Sequence, residues 1–132
     1  MNNILLLVVL SLRIMFYNCE NLLFSNGHTY EKLVNLSRVV VAAGDGVPPA
    51  IIGLAEVEND SIMERWTKRT PLAKWHYRYI VTKSQDVRGI NVALMYQPDD
   101  YRLLGYESVK IKMPQGIRPT RDILHAWGRL VT

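Results

Sequence analysis

The segment Ala50–Val57, AIIGLAEV, is nearly all apolar until Glu56. So short and dry a run reads as a buried strand, and a buried strand requires other layers to cover it. Leu12–Tyr17 has the same character, apolar and aromatic, and ends on the polar Asn18. Between them, Tyr30–Ala43 has helical periodicity. Leu33, Leu36, Val40 and Val41 share one face, while Glu31, Lys32, Asn35 and Arg38 mark the wet side. Gly44 and Gly46 end this helix, and Pro48-Pro49 prevents its resumption. A second, shorter helix is expected over Asp60–Lys68, with Asp60 or Ser61 as N-cap and Ile62, Met63 and Trp66 facing inward. Pro71 closes it.

Beyond Pro71 the pattern changes. Tyr77–Thr82, Ile90–Tyr96, Tyr101–Ile111 and Asp122–Leu130 read as strands, separated by turn signals at Gln85-Asp86, Pro98-Asp99-Asp100 and Pro114-Gln115-Gly116. Strand, helix, strand, helix and then a run of strands predicts an α+β fold, a layered α/β sandwich. The amphipathic helix that would cover the late strands is absent, so a further segment or another chain is expected to cover them.

Composition narrows function only a little. The chain has 132 residues and a formal net charge of +4, with no block of like charges. A mild basic excess suits a protein that meets phosphate groups, but many others share it. The single cysteine, Cys19, cannot form an internal disulfide and reads as a small buried hydrophobe. No cysteine–histidine cluster has zinc-site spacing. His28, His76 and His125 are isolated in sequence and read as structural or surface residues. Residues 1–12 include ILLLVVL, too short for a transmembrane span and similar to the apolar part of a secretory signal. No basic residue precedes it and no small-residue cleavage site follows it. A degraded signal, which would make the chain exported or periplasmic, and a simple extension of the first strand both fit. Residues 13–132 then form the domain proper.

Asn18 and Glu56 each stand at the C-terminal end of a buried strand. Such ends gather at one rim of a layered domain, where ligands bind. A carboxylate and a carboxamide offer hard oxygen ligands, suited to magnesium, manganese or calcium rather than zinc. The structural alternative is that Asn18 caps a loop and Glu56 pairs with an arginine. Glu20 and Glu58 lie two residues further on, in the similar sequences YNCEN and AEVEN. They either reach the same rim or face water. Arg118 and Arg121, in IRPTRDIL, could fork onto a phosphate oxygen or pair with Asp122. Arg88-Gly89 precedes the strand carrying Asn91, and Gly89 allows a tight turn.

Together, RIMFYNCENLLF, PPAIIGLAEVEN, YRYIVTKSQDVRGINVALMY and RPTRDILHAWG resemble the endonuclease/exonuclease/phosphatase superfamily, with its deoxyribonuclease-type fold. They occur in family order and are most similar to the N-terminal half of bacterial members. The resemblance implies a magnesium- or manganese-dependent phosphoester hydrolase, a nuclease or phosphatase, whose substrate includes DNA in some members. It implies that Glu56 ligates the cation, that Asn18 orients the metal or the scissile phosphate, and that Arg121 contacts substrate phosphate. Glu58, Glu20, Asn91 and Arg88 would support the site or the substrate. There are departures. The family's GDxN motif, which orients the attacking water, and its SDH motif, whose histidine contacts phosphate, do not occur. Asn91 stands where the family often has aspartate, as does Ser25 after the NLF element. Two expectations follow: a hydrolase, and a truncated, inactive fragment that needs a complementary half-domain or self-associates through exposed strands.

Overall fold

The computed structural model describes residues 12–24 and 27–131. The signal-like segment, apart from Leu12, and Ser25 lie outside the described residues. The elements are β1 (Ile14–Leu22), α1 (Thr29–Ala43), β2 (Ile51–Val57), α2 (Asp60–Arg69), a 3-10 turn (Pro71–Trp75), β3 (Arg78–Val81), β4 (Asn91–Tyr96), β5 (Tyr101–Val109) and β6 (Ile123–Leu130). The fold is a mixed α+β sandwich.

β1 and β2 are parallel neighbours, which requires a crossover, and α1 is that crossover. β4 pairs antiparallel with both β2 and β3, giving the strand order β1-β2-β4-β3. β5 and β6 form a separate antiparallel pair. Strand alternation then sorts the side chains. Cys19, Ile52, Leu54, Ala93 and Met95 face the helices and are buried. From above they meet Leu33, Leu36 and Val40 of α1, Ile62, Met63 and Trp66 of α2, and Leu72 of the 3-10 turn. The apolar stripes expected in both helices are therefore the stripes that pack.

The opposite sheet face carries Ile14 and Phe16 on β1, opposite Ile51 and Gly53 on β2. It is apolar yet open: Ile14 is 67% and Phe16 73% exposed. The β5–β6 pair covers it only in part, leaving a cleft of about 360 Å³ lined by Phe16, Gly53, Leu94, Leu124 and Ala126 among others.

A polar knot in the core joins the helices. Trp66 Nε1 donates to Ser37 Oγ at 3.0 Å, and Ser37 Oγ lies 3.2 Å from Thr70 Oγ1. Ser37 and Thr70 also bond back to Leu33 O and Trp66 O, and Thr70 Oγ1 caps the 3-10 turn at Leu72 N. Tyr77 sends its hydroxyl to Pro49 O, fixing the entry to β2.

Several sequence expectations are corrected. The N-cap of α2 is Asn59, whose Oδ1 accepts from Ile62 N at 3.1 Å, not Asp60 or Ser61. The chain does not simply leave the helix at Pro71, because proline opens a further 3-10 turn. β1 does not stop at Asn18: it resumes beside β2 at Leu22 after a register break. β5 ends at Val109 rather than Ile111. Among the described residues, no helix is long and apolar enough to cross a membrane.

Candidate functional site

The register break in β1 builds the site. Asn18 pairs with Ala55 and Leu22 with Val57, so the intervening residues of β1 must bulge opposite Glu56. Two of them, Glu20 (φ 51°) and Asn21 (φ 57°), and Glu56 itself on β2 (φ 62°) adopt backbone angles that only glycine takes freely. For a non-glycine residue this costs about 1–2 kcal/mol. Such strain persists only where surrounding contacts over-determine it, and those positions cluster at functional sites.

The contacts are visible. Asn18 Nδ2 donates to Glu56 Oε1 at 3.2 Å, and the backbone N–H of Asn21 donates to Glu56 Oε2 at 2.9 Å. Arg121, reaching in from the segment before β6, places Nη1 3.9 Å from Glu56 Oε1. That Nη1 is buried and makes no hydrogen bond among the described residues. The structure thus brings together the three residues singled out first: Asn18, Glu56 and Arg121.

Asn18 is oriented without ambiguity. Its Oδ1 accepts from Glu20 N at 2.9 Å, so its amide nitrogen must face the carboxylate. Asn18 therefore turns a donor, not an oxygen ligand, toward Glu56. Both halves of the structural alternative are met, since Asn18 fixes a loop and Glu56 meets an arginine. The expected Arg121–Asp122 pair is absent from the ion pairs of the described residues: Asp122 is buried and accepts from Ser108 Oγ at 2.6 Å. Arg118 is exposed.

The supporting residues are placed differently from one another. Glu58 Oε2 accepts from Phe24 N at 2.5 Å, so this carboxylate holds the loop after β1. The side chain of Asn91 ties two segments together, accepting from Ser84 N and Oγ at 2.8 and 2.9 Å while donating to Glu58 O at 2.6 Å. An aspartate there could not make the last bond, which gives the departure from the family pattern a physical basis. Glu20 is exposed, and its backbone carbonyl accepts from Lys32 Nζ at 2.6 Å.

Arg88 grips Asp86 through two nitrogens, Nε to Oδ1 at 3.0 Å and Nη2 to Oδ2 at 2.7 Å. The grip holds the Asp86 carboxyl below the usual range, with Arg121 adding a smaller pull. Gly89 (φ 70°) closes the turn by donating to Asp86 O. Burial pushes the Cys19 thiol up to about 12, which makes it inert despite its place between Asn18 and Glu20.

Sequence reasoning missed Asn21, Lys32, Ser84 and Asp86. Only Asn21 carried a signal, because asparagine is enriched in the left-handed region. The three histidines are surface residues, as expected. His28 lies 3.7 Å from Glu31 and His125 2.9 Å from Glu107.

The sequence profile of the Endonuclease/Exonuclease/phosphatase family matches residues 24–132. The chain belongs to this family. Two solved structures share the fold of this family member. One is a humanized D. rerio TDP2 carrying 14 mutations, 18% identical, with a TM-score of 0.64, covering 90% of this chain and 42% of its own. The other is D. rerio TDP2 complexed with single strand DNA product, 17% identical, with a TM-score of 0.60, covering 90% and 41%. The chain thus spans about two fifths of the length of these two structures. No curated protein sequence matches it.

Proposed function

We propose that this chain carries the phosphate- and cation-binding half of a divalent-metal-dependent phosphoester hydrolase site, and that it is catalytically incomplete by itself. The observation that carries the first part is the Glu56 carboxylate. It is held in a strained conformation by Asn18 and Asn21, with the buried Arg121 nitrogen 3.9 Å away.

The residues fit magnesium or manganese in a limited way. Among the described residues, no group of three or more His, Cys, Asp or Glu could hold a metal. Magnesium, however, is commonly bound by one or two carboxylates with water and substrate phosphate completing its shell. Glu56 supplies one such carboxylate. The ion, when bound, supplies polarisation of a phosphoryl oxygen. Arg121 supplies a fixed cation whose Nη1 can donate to a phosphate oxygen, and Asn18 keeps the carboxylate in place.

The second part rests on the open sheet face. Ile14 and Phe16 stand in water where a sandwich would bury them. Both similar solved structures extend over more than twice the part that this chain matches. A complementary half-domain, on this chain or another, would cover that face and bring the groups that orient water. A lost general-base step alone costs roughly 10²–10⁴-fold in rate.

Calorimetric titration with inorganic phosphate, with and without magnesium, tests the reading. Phosphate should bind only with magnesium present, and Glu56→Gln or Arg121→Met should weaken it at least about tenfold, the equivalent of 1.4 kcal/mol. Unchanged binding in both variants would contradict it.

A further inference from the structure

The peptide that joins Glu20 to Asn21 is gripped on both sides. Its carbonyl accepts from Lys32 Nζ at 2.6 Å, and its N–H, that of Asn21, donates to Glu56 Oε2 at 2.9 Å. The bond is trans, so these two groups point in opposite directions. One peptide plane therefore stands between an ammonium and a carboxylate. Hydrogen bonds to charged groups are the stronger kind, and linked bonds polarise one another. The setting of this plane is held against a local preference. Glu20 and Asn21 flank it with φ of 51° and 57°, angles that persist only where surrounding contacts enforce them. Turning the plane over would release Asn21 from the left-handed region, and it would also take the N–H away from Glu56. Lys32 opposes that turn from the far side. It is placed by α1, beside the fully buried Leu33. Among the described residues Lys32 joins no ion pair, and the neighbouring Glu31 lies against His28. Its ammonium goes to a backbone carbonyl instead.

We infer that Lys32 is a positioning residue for Glu56, acting through the Glu20–Asn21 peptide. The inference rests on the cation-binding reading of Glu56 and adds to it the residue that keeps the carboxylate aimed. Asn18 holds Oε1 and the Asn21 N–H holds Oε2, so the lone pairs left to a cation have a fixed direction only while both donors stay in place. The ammonium has two opposed effects on a bound cation. As a like charge on the far side of a peptide it repels the ion, which salt and water screen to about twofold in affinity. As the anchor of that peptide it supports a metal ligand, and such supporting partners are worth about 10–100-fold. The second effect wins, which fixes the sign of the test.

The test is a manganese titration with inorganic phosphate present, read from the electron paramagnetic resonance signal of the free ion, together with amide NMR spectra of the metal-free chain. Lys32→Met keeps the side-chain length and removes the donor. It should weaken manganese binding about tenfold, while Lys32→Arg, which keeps a cationic donor, stays within about twofold of the wild type. The Asn21 amide proton should move upfield in Lys32→Met, as its bond to Glu56 loosens, and hold its place in Lys32→Arg. The remaining amide signals show that each variant is folded. Unchanged manganese affinity in Lys32→Met would make Lys32 a loop anchor only, and tighter binding would leave charge repulsion as its whole effect; either overturns the inference and leaves the Glu56 site standing. An Asn21 amide that does not move in Lys32→Met would overturn it too, with no metal involved. If the wild type binds no manganese, the cation reading of Glu56 fails and the positioning role with it.

Discussion

Asn18, Glu56 and Arg121 meet because β1 breaks register between Asn18 and Leu22 opposite Glu56. Asn18, Glu56 and Arg121 were legible because strand ends and the family motifs mark them. What the sequence could not show is that the Asn18 amide oxygen is taken by Glu20 N, which turns its nitrogen to Glu56. That choice depends on left-handed backbone at Glu20 and Asn21, a tertiary outcome that no periodicity encodes. Asp86 was hidden for a similar reason, being a turn signal in sequence and a buried, gripped carboxylate in space. Its folded-state pKa is depressed, chiefly by the Arg88 hydrogen bonds. Its stabilising contribution is therefore complete above the unfolded-chain value of about 4 and fades as pH falls below it. Urea melts of the wild type and Asp86→Asn should show a constant stability gap from neutral pH down to about 5, narrowing at lower pH. A gap independent of pH would show that the grip does not depend on charge.

At the scale of elements, the helices and most strands were readable because their apolar periods match what they bury. α1 was expected to turn Leu33, Leu36 and Val40 inward, and all three are buried. The errors fall at boundaries, where caps decide. Asn59 took the cap of α2 because its extended backbone lets Oδ1 reach Ile62 N. Trp66 was expected to face inward, but its hydrogen-bond partner on another helix could not be foreseen. Ser37→Ala would leave Trp66 Nε1 buried without that acceptor, a loss of about 1–3 kcal/mol. The denaturant midpoint should fall with an unchanged slope. A variant as stable as the wild type would show that the Ser37–Trp66–Thr70 knot contributes nothing net.

At the scale of the molecule, one sheet has two different faces. The helix side is a finished core, and the other side leaves Ile14 and Phe16 in water beneath a two-stranded pair. A two-stranded sheet alone is marginal, so β5 and β6 lean on that partly covered face for support. This asymmetry was foreseeable from the order of the elements, since four late strands follow without a covering helix. The position of the rim relative to it was not foreseeable. Glu56 lies at the end of β2, and Arg121 reaches it from the segment leading into β6, so the site bridges the two sheets. The Asn18–Glu56–Arg121 cluster thus depends on how the segment leading into β6 is held against the four-stranded sheet. The most direct test is crystallographic. Crystals soaked with manganese and phosphate, with the metal located by its anomalous scattering, should show manganese bonded to a Glu56 carboxylate oxygen and phosphate against Arg121 Nη1. Manganese found elsewhere, or phosphate bound away from Arg121, would contradict the account.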